Sequence, residues 1–126
     1  MKKRMLSVLL ALVLLLGLLP GAALAAPAAS GTCGGALTWS LGSDGVLTIR
    51  GTGPMADYAG FSETPWASYA EEIRLVSVQK GVTSIGRNAF ADCKALTAVS
   101  LPDSLTAIEK LAFYGCSALR ELSLPG

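Results

Sequence analysis

Three cysteines and nine carboxylates are the side chains in this 126-residue chain with the most obvious capacity for chemistry. The chain has no histidine, so neither a Ser/His nor a Cys/His nucleophile can be assembled. Two carboxylates could in principle act as a glycosidase acid–base pair. Glu71 and Glu72, however, fall on the polar side of an expected helix, and the other acidic residues are spread through loops, the pattern of solvated surface charge. Asp44 and Asp57 sit among glycines and small residues, and read as turn formers rather than calcium ligands. The reading is a non-enzymatic chain with no catalytic, cofactor-binding or metal-ligating residues and no cofactor.

The cysteines carry the more informative spacing. Cys93 and Cys116 stand 23 residues apart in closely matching contexts. Were they at the same place in successive turns of a coil, their Cα atoms would lie roughly 4.8 Å apart, within reach of a disulfide. Their register with apolar neighbours favours a free, buried pair packed as small hydrophobes, with a disulfide and then a metal site as the alternatives. Cys33 is the odd one, beside glycines, and is open to being a partner-free thiol or bonded to a segment elsewhere.

The same spacing organises the rest of the chain. Laid over Leu105–Gly126, Val82–Asp103 shows ten identities in 22 positions, a period of 23. Ile85 matches Ile108, Ala89 matches Ala112, Phe90 matches Phe113, Leu96 matches Leu119, Leu101 matches Leu124 and Pro102 matches Pro125. Apolar positions hold while charged ones drift, as expected when inward residues meet their counterparts in the next coil and outward ones meet water. A degenerate earlier copy places Ile73, Val76 and Val78 under Leu96, Val99 and Leu101, so the solenoid is expected to begin near Pro65.

Within each coil, Leu96-x-x-Val99-x-Leu101 ends in the period-two alternation of a short strand, which Pro102-Asp103 stops. Leu105 and Ile108 are expected to return to the core, and Lys110–Cys116 to form a turn of helix or 3-10 helix carrying Phe113 inward, as Phe90 is carried one coil earlier. A single coil buries too few apolar side chains to offset the entropy of ordering its backbone, so coils must stack. The chain stops at Pro125-Gly126, directly after a strand and without a terminal cap, the expectation for a truncated product or a piece of a longer array.

Upstream, Leu37-x-Trp39-x-Leu41, the turn Gly42-Ser43-Asp44-Gly45 and Val46–Ile49 form an expected β-hairpin, whose Trp39, Leu47 and Ile49 cover the N-terminal edge of the first coil. Thr64-Pro65 is expected to start a short amphipathic helix bearing Trp66, Tyr69, Ala70 and Ile73 at i, i+3, i+4 and i+7.

The first 25 residues have the grammar of an export signal. A basic Met1–Arg4 precedes an apolar Met5–Leu19 run; Pro20-Gly21 and Ala23-Leu24-Ala25 then supply a break and an A-x-A cleavage site. The run is short of the roughly 20 residues of a membrane span, so cleavage is favoured over an uncleaved anchor. Cys33 lies too far downstream to be a lipoprotein cysteine. Lys2, Lys3 and Arg4 leave with the signal, so 7 basic residues remain against 9 acidic ones, a net charge of about −2. Those seven are scattered from Arg50 to Arg120, which argues against a nucleic-acid partner.

The pattern Gly81-Val82-Thr83-x-Ile85-Gly86-x-x-Ala89-Phe90-x-x-Cys93-x-x-Leu96-x-x-Val99-x-Leu101-Pro102 resembles the BspA-like leucine-rich repeat of bacterial surface proteins. Cys33-Gly34, Leu37-x-Trp39-x-Leu41, Gly51-Thr52-Gly53 and Pro65-Trp66 resemble the segment that often precedes it. The resemblance implies a β-rich α/β solenoid with a 23-residue period, divided here into a signal peptide (1–25), a linker and N-terminal β-hairpin cap (26–64) and a solenoid (65–126). It further implies a secreted or cell-surface protein, with no membrane contact after cleavage, binding a protein or glycan on a host or neighbouring cell. A structural spacer within a larger secreted protein or enzyme is the competing role.

The candidate ligand face is the outward side of the strands: Arg74, Leu75 and Ser77, then Thr97, Ala98 and Ser100, then Arg120, Glu121 and Ser123. These side chains are small and mixed and include no aromatic anchor of the kind that dominates binding hot spots.

Overall fold

The computed structural model describes residues 29–123; the expected export signal lies outside them. Three antiparallel strands open the molecule: β1 (Ala29–Gly34), β2 (Leu37–Leu41) and β3 (Val46–Gly51). The β2–β3 connection closes through Gly45 at φ 85°, with the Asp44 carboxylate accepting the Val46 N–H at 3.1 Å, so Asp44 is a turn residue. Strand β1 carries none of the large aliphatic residues that mark a strand in sequence. Pairing with β2, which aligns Gly31 with Trp39, decides its conformation.

After β4 (Gly53–Pro54) come β5 (Leu75–Val78), β6 (Val82–Ile85), β7 (Ala98–Ser100), β8 (Ala107–Ile108) and β9 (Glu121–Ser123). One sheet has six strands in the order β1-β2-β3-β5-β7-β9, its first three antiparallel and the rest parallel; a second has three parallel strands, β4-β6-β8. Coils also meet along a third line, where the N–H groups of Asn88, Phe90 and Asp92 donate to the carbonyls of Lys110, Ala112 and Tyr114. Each coil is therefore bonded to the next on three sides. Thr97 Oγ1 donates to the Arg74 carbonyl and Thr106 Oγ1 to that of Thr83, both across 23 residues, adding side-chain rungs to the backbone ladders.

The core is apolar and continuous from Cys33 and Leu37 to Leu101 and Ala112. Leu47, Ile49, Ile73, Val76, Ile85, Phe90 and Leu96 have no exposure at all. An aromatic column runs through it: Trp39 meets Trp66 edge-on at 5.7 Å, Trp66 stacks on Phe90 at 5.3 Å and Phe90 on Phe113 at 5.5 Å. The buried indole N–H of Trp66 donates to the Ala89 carbonyl at 2.8 Å, so it carries no desolvation penalty. Gly86 lets the chain pass close to the 56–57 backbone, where a Cβ would run into the Ala56 carbonyl.

Four expectations need correction. No α-helix occurs among the described residues, so the α/β description gives way to strands and turns. Residues 64–73 do not form a helix capped by Thr64. Two 3-10 turns stand there, Phe61–Glu63 and Ala67–Tyr69, and Thr64 closes the first by donating its hydroxyl to the Phe61 carbonyl at 2.8 Å. Insertion of Trp66 into the aromatic column, with its N–H tied to Ala89, overrides the amphipathic spacing. Lys110–Cys116 is likewise a run of turns, because Leu111 (φ 63°) and Gly115 (φ 78°) lie in the left-handed region and interrupt any helix. Finally, Leu105 is only half-buried and Ile108 is 43% exposed: Ile85 is roofed by its partner Ile108, while no described residue roofs Ile108 itself.

Candidate ligand-binding face

The nine outward residues come together in three rows. Register aligns Leu75 with Ala98 and Glu121, and Ser77 with Ser100 and Ser123. One residue earlier in each coil, the Thr97 N–H donates to the Arg74 carbonyl at 2.8 Å and the Arg120 N–H to the Thr97 carbonyl at 2.9 Å. The alternation of β5 and β7, inward at Val76 and Val99, turns Leu75, Ser77, Ala98 and Ser100 to the opposite side, while Arg74, Thr97 and Arg120 stand exposed just before the strands. Arg74, Thr97, Ser100, Arg120, Glu121 and Ser123 are exposed, and Leu75, Ser77 and Ala98 half-buried. Gln79 steadies Ser77, its side-chain N–H donating to the hydroxyl at 2.7 Å. Thr97, Arg120 and Glu121 line a shallow hollow at the far end.

The face is twice as wide as the sequence reading made it. Strand β3 pairs with β5 in parallel, and β2 and β1 continue the same sheet. A second hollow there is lined by Ser30, Gly31, Thr32, Thr38, Trp39, Ser40, Thr48 and Arg50. The alternating Thr38-x-Ser40 and Thr48-x-Arg50 of the hairpin held this information in sequence; what was missing was that the hairpin lies in the plane of the coil strands.

The other side chains with a capacity for chemistry lie apart from this face. Cys33 and Cys93 are buried and Cys116 half-buried, all as free thiols. Burial pushes the Cys33 and Cys93 thiols up to about 12, with Cys116 and Asp92 adding to the effect at Cys93, so neither is a thiolate near neutral pH. Burial also raises Cys116, whose thiol donates to the Phe90 carbonyl at 3.0 Å. Tyr58 is pushed up to about 12 by burial and by neighbouring Cys33. Asp57 accepts the Arg87 N–H at 2.8 Å, and Glu71 and Glu72 are exposed. Among the described residues no group of three or more His, Cys, Asp or Glu could hold a metal ion, and no helix is long and apolar enough to cross a membrane.

Residues 67–126 match the family model described as a BspA type leucine rich repeat region (6 copies). The fold is similar to the crystal structure of a leucine-rich repeat protein from Eubacterium ventriosum, with 33% sequence identity and a TM-score of 0.63. The similarity covers 75% of this chain but only 28% of that one, so the chain spans little more than a quarter of its structural relative. No curated protein matches the chain. With a matching repeat model and a leucine-rich-repeat structural neighbour, residues 67–126 of the chain belong to the BspA-type leucine-rich repeat family.

Proposed function

We propose that this protein is exported and acts at or beyond the cell surface as a non-catalytic binding module, recognising protein or glycan through the outward face of its strands. The hairpin β2–β3 serves as the N-terminal cap of a 23-residue-period solenoid that starts near Pro65, and residues 1–25 as the cleaved signal. One observation carries the reading: six of the nine outward residues stand in register on three hydrogen-bonded strands, and Arg74, Thr97 and Arg120 are linked by backbone hydrogen bonds just before them, so side chains from separate coils form one surface. Repeat folds use such surfaces for ligands because each coil contributes the same position to a common face.

The experiment is surface binding by the secreted chain. N-terminal sequencing of secreted material should begin at Ala26. The labelled chain should adhere to cells or to a panel of immobilised extracellular proteins and glycans, and the double variant Thr97→Arg, Ser100→Arg should lower that retention by roughly tenfold, the equivalent of ~1.4 kcal/mol. Equal retention by wild type and variant would remove this face from the function. The spacer role draws support from the aromatic side chains, whose column lies inside the molecule rather than on this face. Under that role neither form binds any member of the panel.

A further inference from the structure

The outward row of the coil strands does not stop at β5. Thr48 is the register partner of Ser77, Ser40 of Thr48, and Ser30 of Ser40. Every strand of the six-stranded sheet therefore places a hydroxyl at one level: Ser30, Ser40, Thr48, Ser77, Ser100 and Ser123. Neighbouring strands lie about 4.8 Å apart, so the row runs for roughly 24 Å. A hydroxyl both donates and accepts, which lets such a row meet the hydroxyls of a polyol in either sense.

At the hairpin end the row is doubled. Thr32 pairs with Thr38, and Thr38 with Arg50, two residues along from the first row, and these residues line the same hollow as Ser30, Ser40 and Thr48. Arg50 is exposed and no carboxylate lines this hollow, so its charge has no counterpart there. The hollow at the other end differs, with Glu121 beside Arg120. A single guanidinium set among hydroxyls complements a ligand with one carboxylate and several hydroxyls. Arginine binds a carboxylate through two parallel N–H bonds, stronger than neutral hydrogen bonds. An ordinary protein partner fits less well, because the exposed and half-buried side chains around the hollow are hydroxyls and one guanidinium, while Trp39 is buried beneath them and offers no anchor at the surface.

We propose that the face of β1–β3 is a subsite for a sugar carboxylate, as in a uronic or sialic acid. Arg50 takes the carboxylate, Thr38, Ser40 and Thr48 take ring hydroxyls, and the glycan continues along the hydroxyl row towards Ser77 and Ser100. The inference rests on the binding role proposed above and names what that face binds. Affinity per molecule is low without aromatic stacking, so binding depends on multivalent display.

The test uses the full chain, exported, purified and displayed multivalently. The probes are a hexasaccharide of alternating glucuronic acid and N-acetylglucosamine, its carboxyl-reduced counterpart, and sialyllactose. Retention of at least one acidic probe is expected, with the reduced one much weaker. Arg50→Gln should lower retention roughly tenfold, as for loss of a charged hydrogen bond. Arg50→Lys should keep part of it and Arg87→Gln, an exposed cation outside this face, nearly all, with unchanged thermal melting for each. Which acidic probe is preferred separates uronic from sialic acid. The proposal is overturned if the reduced probe binds as well as the acidic one, if Arg50→Gln binds like wild type, or if no acidic probe is retained. Should any of these occur while Thr97→Arg, Ser100→Arg still lowers binding to another ligand, the general binding role survives and only this subsite falls.

Discussion

The coil of Val82–Leu101 and the one that follows it, Leu105–Ser123, share the same pattern of apolar positions and differ sharply in burial. Ile85 is fully buried, yet its counterpart Ile108 is 43% exposed; Val99 is 2% exposed and Leu122 43%. Phe90 is enclosed between Trp66 and Phe113, whereas Phe113 has a ring partner on one face only among the described residues. Burial in this fold is thus not a property of a side chain or even of a coil. It belongs to the contact between coils, and the same amino acid is core or surface according to whether a neighbour roofs it.

The aromatic pair offers the largest test of that difference. Phe90→Ala removes a ring stacked on both sides and should cost about 3–5 kcal/mol, read as a lower urea midpoint; Phe113→Ala should cost less than half as much. Equal losses would mean that position within the stack does not set the energy.

Backbone strain gives a smaller contrast. Asn88 and Leu111 occupy equivalent places at φ 60° and 63°, a conformation asparagine tolerates and leucine does not. Leu111→Asn should therefore stabilise by about 1 kcal/mol, raising the melting temperature by a few degrees. Asn88→Leu should do the opposite by more, since it also removes the Asn88 side-chain N–H bond to the Tyr58 carbonyl.

The thiols give the smallest effect. In the native protein at pH 8, half-buried Cys116 should be alkylated faster than Cys93, and both far more slowly than after unfolding. The folded Cys93 thiol titrates at about 12 against an ordinary value of 9.0, so folding favours its neutral form. Its contribution to stability should be complete below pH 9 and fall away as pH rises from there towards 12, visible as a declining melting temperature. A Cys93→Ala variant should lose part of that alkaline decline.

Much of this architecture is legible in the amino-acid sequence. Two copies with matched Ile, Ala-Phe, Cys and Leu positions specify stacked coils, because only inward residues are constrained in pairs. The hairpin of Trp39 and Ile49, the turn role of Asp44, the adjacency of Val99 and Leu122, and the common register of Ser77, Ser100 and Ser123 all follow from alternation and period. Strand β1 could not be read, since Ser30, Gly31 and Thr32 have no apolar alternation. The 3-10 turns around Trp66 could not either, since i, i+3, i+4 spacing describes a helix equally well.

Periodic apolar positions are local information, and they determined the repeat, its inward residues and the order of its strands. The width of the outward face was decided only by tertiary structure, because alternation cannot say which sheet a hairpin joins. Hydrogen bonding of β3 to β5 placed Ser30, Ser40, Thr48 and Arg50 in one plane with the coil strands. Residues as distant in sequence as Ser30 and Ser123 became part of a single surface through backbone pairing that no short window of the chain encodes.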